Sequence, residues 1–181
     1  MNADAQTVLT FWFDELTPED WWRKSEKLDQ DIKQRFLQVH AKARCRELGS
    51  WRTTPRGRLA EIIVLDQFSR NIYRDDPRAF ASDPLALEFA QEAVKLGEDK
   101  NLSSTEKSFL YLPYMHSESI EVHDQAIRLF DQPGLENNLD FELKHKAIID
   151  RFGRYPHRNK ILGRASTVKE LEFLEQPGSS F

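Results

Sequence analysis

The feature that most constrains the fold is the stretch from residue 55 to residue 72, PRGRLAEIIVLDQFSRNI. When it is drawn as an α-helix with about 100° between successive residues, its apolar side chains cover one face and most of the remaining circumference. A helix that is apolar on nearly all sides is buried by neighbours on several sides. The stretch therefore predicts a central helix around which the other elements pack.

Two charged residues interrupt the apolar face of this predicted helix. Asp66 and Arg70 are four residues apart and lie in the middle of the stripe formed by Leu59, Ile62 and Ile63. Charges in such a position must pair or line a cavity, because an isolated buried charge is very costly in free energy. The pair indicates where a polar cluster or a ligand site is expected.

The rest of the chain has the periodicity and the terminal signals of helices. Apolar residues recur every three or four positions, hydroxyl or acidic residues precede several of these segments, and glycines follow their ends. We predict further helices over 3–13, 25–48, 83–96, 104–112, 115–130, 140–153 and 167–174. Pro113 predicts a kink or break. No segment alternates with a period of two, so we predict an all-α fold of about eight helices packed as antiparallel hairpins.

Length and composition narrow the class of protein. A chain of 181 residues suits a single domain spanning 1–181, with a frayed tail at 176–181. The single cysteine, Cys45, allows no intramolecular disulfide, which is typical of a reducing cytosol. No apolar run reaches the ~18 residues of a membrane span, and the first residues do not resemble a signal peptide. The net charge of −4 argues against general nucleic-acid binding. We expect a cytoplasmic protein with neither membrane nor nucleic acid as a partner, and its oligomeric state stays open.

Three further polar residues interrupt the pattern of two other predicted helices. His116 and His145 each lie on an apolar face, and Glu118 follows His116 by two residues, pointing elsewhere. A lone histidine on an apolar face is more often a hydrogen-bonded core residue than a catalyst or a ligand. Two such histidines together with the Asp66–Arg70 pair favour one shared site, with His116, Glu118 or His145 as a candidate acid or base.

The chain between residues 151 and 169 contains no acidic residue, although the protein is acidic overall. Its arginines include Arg151, Arg154 and Arg158, with His157 and Asn159 between or beside them. Guanidinium groups match the geometry of carboxylates and phosphates, so the segment is a candidate anion site. The alternative is that these arginines bridge helix ends and acidic residues of the fold.

Other kinds of site have less support. The chain has no HExxH motif and no Cys–His spacing typical of zinc, so no metal and no cofactor is expected. It also lacks a GxSxG elbow, a phosphate loop and a GxGxxG motif. His40 and His123 have polar neighbours in the sequence and are expected at the surface.

Six blocks of sequence, taken together and in order, resemble the bacterial domain of unknown function 924 family. They are FWF at 11–13, WW at 21–22, LDQFSRNIYR at 65–74, AFASD at 79–83, FLYLPYMHSE at 109–118 and RFGRYPHRNKILGR at 151–164. The resemblance runs from about residue 8 to residue 174. It implies an all-α fold like the tetratricopeptide helical superfamily, built of stacked antiparallel hairpins. It does not identify a reaction. Ser69 departs from the family pattern, which has proline there, and this change should relax a kink.

The blocks of the resemblance contain most of the polar residues singled out from the helical pattern, and His145 lies just before the last block. The residues that they contain are Asp66, Arg70, Asn71, His116, Glu118, Arg151, Arg154, His157, Arg158 and Asn159.

Three hypotheses follow from these observations. In the first, helices enclose a site for a small anionic metabolite, with hydrolysis or group transfer as the reaction. In the second, the helices form an interaction module whose basic groove binds an acidic peptide. In the third, the polar residues form a buried network that fixes the helix register. The first hypothesis requires Asp66, His116 and Arg154 to line one shared pocket.

Overall fold

The computed structural model describes residues 3–180, and within this range the secondary structure is helical, without β-strands. Helix α1 (Ala5–Thr10) continues into a π-helical turn, Phe11–Glu15, and is followed by α2 (Glu26–Arg44). One continuous helix then consists of α3 (Pro55–Ile63), a π-helical turn (Val64–Phe68) and α4 (Ser69–Ile72). The remaining helices are α5 (Asp83–Lys95), α6 (Ser104–Met115), α7 (Ile120–Phe130), α8 (Glu136–Phe152) and α9 (Val168–Leu174). With α3 and α4 counted together, the described residues form eight helices, which confirms the all-α prediction.

The helix that was expected at the centre is central. Every residue from 57 to 69 is buried, and this helix contacts α1, α2, α5 and α6. The rings of Phe11, Phe36 and Phe68 pack together where the first π-helical turn, α2 and the second π-helical turn meet. Consecutive helices from α5 to α8 pack against one another along the chain. A smaller apolar cluster, formed by Ile148, Ile149 and Tyr155, joins the end of α8 to the segment that follows it.

Local signals explain most helix ends. Capping boxes begin α6 and α9, with Ser103 and Thr167 accepting hydrogen bonds from the backbone N–H groups of Glu106 and Glu170. At α3, the hydroxyl of Thr54 accepts from the N–H of Gly57. Gly57 is also needed for packing, because a Cβ there would overlap the carbonyl oxygen of Trp51.

Several predicted helix boundaries were wrong, among them the end of α2, which lies at Arg44 and not at residue 48. Helix α8 begins at Glu136, not at residue 140, because Leu135 is buried in the core and fixes the chain ahead of two asparagines with low helix propensity. Helix α6 passes through Pro113 and ends at Met115. The proline has no N–H group to donate to the carbonyl oxygen of Phe109, and the helix ends two residues after it. Residues 116–119 then leave the helix before α7 begins.

Among residues 3–180, no helix combines the length and the apolar character required to cross a lipid bilayer.

Candidate functional site

The π-helical turn of the central helix holds the carboxylate around which the candidate site is built. The side chain of Asp66 is buried, and its Oδ1 lies 2.7 Å from Nδ1 of His116, the residue that caps the end of α6. Its Oδ2 accepts a hydrogen bond of 2.5 Å from the side chain of Gln67. Turns of this kind are rare and often occur at functional sites. Here the turn joins the central helix to α6 through a carboxylate–imidazole pair.

Arg70 compensates the charge of Asp66. Its Nη1 lies 3.2 Å from Oδ1 of Asp66, and both terminal nitrogens donate to the carboxylate of Asp83, at 2.9 and 3.0 Å. Burial alone would raise the pKa of Asp66, but the charge of Arg70 and the hydrogen bonds from His116 and Gln67 hold it well below its usual range. Asp66 is therefore an anion at neutral pH despite its burial.

Arg158 lies on the other side of Asp83. Its Nη2 donates to the carbonyl oxygen of His116 at 3.0 Å, and its Nη1 is 3.5 Å from Oδ2 of Asp83. The guanidinium plane lies over the rings of Phe80 and Tyr155, with its carbon 4.6 Å from each ring centre. Arg158 thus connects the segment after α8 to α5 and to the end of α6. We refer to Asp66, Arg70, Asp83, His116 and Arg158 as the Asp66–His116 cluster.

The environment of His116 sets its protonation state. Burial and the charge of Arg70 lower the pKa of His116 below its ordinary value, although Asp66 acts in the opposite direction. The neutral imidazole carries its proton on Nδ1, because that atom faces the anionic Asp66. Nε2 is then a proton acceptor, and it forms no hydrogen bond with any residue in the described range 3–180. The side chain is 16% exposed, so the ring lies just below the surface.

Three further histidines surround Tyr155, whose ring contacts Arg158. The ring centres of His157, His145 and His123 lie 5.5, 5.8 and 6.2 Å from that of Tyr155. Burial lowers the pKa of His145 to about 3 and the pKa of His157 to about 4. Both imidazoles are therefore neutral at physiological pH.

His123 and Glu142 form a fully buried pair beside Tyr155. Nδ1 of His123 lies 2.6 Å from Oε1 of Glu142, and its Nε2 lies 2.8 Å from the carbonyl oxygen of Ser117. Because a carbonyl oxygen only accepts, Nε2 carries a proton there, and a second proton lies between Nδ1 and Glu142. Burial raises the pKa of Glu142. The pair anchors α7 to α8 behind the cluster.

Among the three candidate acids or bases, Glu118 has carboxylate oxygens that already accept several hydrogen bonds. Its carboxylate receives two hydrogen bonds from Arg164, at 2.7 and 2.9 Å, and one of 2.8 Å from the backbone N–H of Tyr155. The predicted ligand-binding residue Asn159 is buried nearby, where it accepts from Arg164 and donates to Ser166. This arrangement favours a role for Glu118 and Asn159 in holding the segment 155–166 against α6.

The structure brings together part of the predicted site. Asp66, Arg70, His116 and Arg158 are in direct or shared contact, while His145 and His157 reach them through Tyr155 and Glu118 lies beside them. These seven residues lie together through side-chain contacts, whereas Arg154, which the first hypothesis places in the same pocket, binds Glu170 instead. The expectation of one pocket lined by all the polar residues is therefore not met.

Three predicted ligand-binding residues lie elsewhere. Asn71 donates to Asp29 on α2, whereas Asp66 contacts His116 at the end of α6. Arg154 forms two hydrogen bonds with Glu170 of α9, at 2.7 and 2.9 Å. Arg151 is exposed and lies over the ring of Phe152. The basic segment turns at Gly153, so its arginines diverge instead of sharing one face.

Two histidines that were expected at the surface are buried. His40 packs inside, with Nε2 2.7 Å from Oγ of Ser69, and burial lowers its pKa to about 4. His123 lies in the pair with Glu142. Both were misplaced because their immediate neighbours in the sequence are polar. The helical spacing of His123 to the buried Ala126 and Phe130 was the signal that would have placed it correctly.

Asp83 and Tyr155 are parts of the cluster that the sequence did not reveal. Asp83 is the first residue of α5, and its side chain binds Arg70. Tyr155 follows a chain reversal, and no local periodicity indicates which way it points. Among residues 3–180, no three side chains of His, Cys, Asp or Glu are arranged to hold a metal ion.

The model of the family described as "Bacterial protein of unknown function (DUF924)" matches residues 8–178. The chain belongs to this family. One solved structure similar to this DUF924 protein is titled "Structure of Protein of Unknown Function ATU0120 from Agrobacterium tumefaciens". The two are 37% identical and superpose with a TM-score of 0.90, over 94% of this chain and 96% of the other. No curated protein matches the chain.

Proposed function

We propose that this DUF924 protein binds a small anionic metabolite at the Asp66–His116 cluster and that His116 acts there as a general base. The observation that carries the proposal is the orientation of His116. A buried carboxylate holds Nδ1, and Nε2 has no partner among residues 3–180. A carboxylate in this position fixes the tautomer and the orientation of an imidazole, and it stabilises the imidazolium that forms when Nε2 takes up a proton.

The charges around His116 suit a base that works at neutral pH. Its lowered pKa keeps the imidazole neutral, hence able to accept a proton. No Ser, Thr, Cys or Lys side chain within residues 3–180 forms a hydrogen bond with this imidazole. The proton would therefore come from water or from a substrate hydroxyl. Hydrolysis by activated water, or transfer of a group to a hydroxyl, follows most directly from this arrangement.

Anion binding would rest on Arg70 and Arg158. Their two charges are balanced by Asp66 and Asp83, so a ligand would be held by directed N–H groups and not by a net positive field. Nε of Arg158 is buried without a hydrogen-bond partner in the described part of the chain, which leaves a donor beside the cluster. An unpaired buried donor costs free energy in the folded protein, and a bound oxyanion would recover it.

The competing hypothesis of an acidic-peptide groove has less support. It needs a row of unpaired basic residues along an open surface. Arg154 is paired with Glu170, and Arg164 is paired with Glu118. Three of the four arginines between residues 151 and 164 are therefore already paired with acidic residues of the fold.

Binding is tested by thermal shift with inorganic phosphate, pyrophosphate and citrate, in wild type and in His116→Gln, Arg158→Lys and Arg154→Gln. We expect at least one anion to raise the melting temperature of wild type and of Arg154→Gln, and the shift to be lost in the two cluster variants. NMR titration of the His116 imidazole in the wild-type protein provides a readout that does not depend on a variant folding. A bound anion should raise its pKa. The site is wrong if no anion moves either quantity, or if Arg154→Gln loses the shift too.

Catalysis is tested with p-nitrophenyl phosphate and p-nitrophenyl acetate. Removal of a general base typically costs ~10²–10⁴ in rate, so His116→Gln should lose activity to that extent. In wild type the rate should rise with pH through the lowered pKa of His116 and then level off. Equal rates in wild type and His116→Gln, or hydrolysis of neither ester, would remove the catalytic part of the proposal.

A further inference from the structure

A cleft lies where the central helix meets α2, outside the Asp66–His116 cluster, and the proposed function does not use it. It has a volume of about 490 Å³ and lies between the first half of α2 and the end of α4 with the turn that follows. Binding sites for small molecules usually measure ~300–1,000 Å³, so the cleft is large enough for a ligand. Charged side chains of both signs line it.

A carboxylate with two hydrogen-bonding partners forms one wall of this cleft. Asp29 of α2 is buried, and it accepts 2.8 Å from the side chain of Asn71. It also receives two hydrogen bonds from Arg74, at 2.5 Å from Nε and 2.7 Å from Nη2. No hydrogen bond joins Nη1 of Arg74 to any residue from 3 to 180. The hydrogen bonds therefore hold the side chains of Asp29 and Arg74 in place, and Nη1 of Arg74 is left to donate to a ligand.

The other charges of the cleft divide into one pair and two single groups. Lys24 and Asp75 form an exposed ion pair of 3.4 Å. Glu26 and Lys33 line the same cleft, and neither forms a salt bridge with another residue of the described chain. They are seven residues apart on α2, which places them on one face, ~10 Å apart along the helix axis. The cleft thus contains one carboxylate, of Glu26, and one ammonium group, of Lys33, that can each bind a charged group of a ligand.

We infer that this cleft is a second binding site, for a zwitterion between the size of an amino acid and that of a dipeptide. The ligand's carboxylate would bind Lys33 and the free Nη1 of Arg74, while its ammonium group would bind Glu26. Internal pairing leaves the cleft without net charge, which disfavours ligands that carry only one sign. The separation of Glu26 and Lys33 favours a compound whose charges are several bonds apart, so a dipeptide should bind better than an α-amino acid.

The experiment uses isothermal titration calorimetry with glycylglycine, glycine, N-acetylglycylglycine and glycylglycine amide. The last two compounds each lack one of the two charges. We expect glycylglycine to bind most tightly. Each blocked compound should bind about fivefold more weakly or worse, which corresponds to the ~1 kcal/mol of a partly exposed ion pair.

Variants identify the surface. Glu26→Gln and Lys33→Gln should each weaken glycylglycine binding by about fivefold or more. Lys27→Gln is the matched control, because Lys27 is exposed on the same helix and does not line the cleft. His116→Gln should leave this binding unchanged, so failure of one proposal does not imply failure of the other. The inference is overturned if glycylglycine does not bind, if the blocked compounds bind equally well, or if Lys27→Gln weakens binding as much as Lys33→Gln.

Discussion

Nδ1 of His116 lies 2.7 Å from Oδ1 of Asp66, and this contact joins the end of α6 to the π-helical turn of the central helix. It places an ionised carboxylate inside the protein, where only specific partners make the charge tolerable. Arg70 supplies the opposite charge and is itself held by Asp83. The contact therefore affects both the stability of the protein and the chemistry of His116, and these two effects can be measured separately.

Replacing Asp66 by Asn keeps the shape of the side chain and removes its charge. We expect a loss of about 3–5 kcal/mol in the free energy of unfolding at pH 7, because Arg70 and His116 lose a buried partner. Urea denaturation measures it. Asp140→Asn, at an exposed position of α8, should change stability by no more than ~0.5 kcal/mol.

The same variant has a defined pH dependence. Since the pKa of Asp66 is lowered on folding, its contribution is present above the unfolded value of ~3.9 and is lost as the pH falls towards the folded value. The unfolding free energies of wild type and Asp66→Asn should therefore become equal in strong acid. A variant as stable as wild type at pH 7 would show that the charge does not stabilise the fold.

His40 should make the protein less stable in mild acid. Its pKa falls to about 4 in the folded state, because of burial and then of the charge of Arg44. The unfolded chain, with a histidine pKa of ~6.5, takes up the proton first. Stability should thus decrease from pH 6.5 to pH 4, by ~1.4 kcal/mol per pH unit from this residue alone.

The measurement for His40 is the unfolding free energy between pH 7 and pH 4 in wild type and His40→Gln. The glutamine amide keeps a donor for Ser69 and does not titrate. The plot of unfolding free energy against pH should therefore lose the slope that uptake of one proton on unfolding contributes. Lys27→Gln should keep the wild-type slope. Parallel curves for His40→Gln and wild type would mean that His40 does not stay neutral in the folded protein.

Gly57→Ala should destabilise the protein, although Gly→Ala inside a helix usually stabilises by ~0.5–1 kcal/mol. The added Cβ would overlap the carbonyl oxygen of Trp51, which belongs to the backbone and cannot rotate away. We expect a net loss of about 1–3 kcal/mol by urea denaturation. Gly49→Ala is the control, because its Cβ would meet only Nη2 of Arg52 at 3.6 Å, an ordinary contact. Similar effects of the two substitutions would contradict the prediction.

Glu118→Gln should loosen the segment 155–166 while leaving the helical core intact. Glu118 receives hydrogen bonds from Arg164 and from the backbone of Tyr155, and hydrogen bonds to charged groups contribute about 1.5–3 kcal/mol. Hydrogen–deuterium exchange should accelerate in 155–166 and not in α3. Glu172→Gln, at an exposed position of α9, should leave exchange there unchanged. Unaltered protection in Glu118→Gln would exclude the anchoring role.

Helical periodicity predicted the parts of the cluster that lie within helices or at their ends. Asp66 and Arg70 interrupt an apolar stripe, and His116 follows the apolar residues of α6, so the pattern itself indicated that they point inwards. Arg154 and Asn71 were misplaced for a physical reason. The side that a residue faces after a chain reversal or a π turn depends on tertiary packing, which a helical wheel does not contain.

Partners distant in sequence were equally hidden. Asp83 binds Arg70 across 13 positions, and Tyr155 donates to the carbonyl oxygen of Met115 across 40 positions. Nothing local distinguishes Asp83 from an ordinary helix cap. The composition of the cluster was thus largely predictable from its helical members, while its geometry depends on loop residues that carry no periodic signal.

The π-helical turn at Val64–Phe68 adds one residue to a turn of the central helix. Everything after it is rotated by about 100° relative to an uninterrupted α-helix. In a related protein, a single-residue deletion inside this turn would rotate the counterpart of Arg70 away from Asp83. Every polar residue of the motif would still be present in the sequence. Among homologues, a one-position gap in the alignment would therefore mark a dismantled cluster more reliably than any substitution.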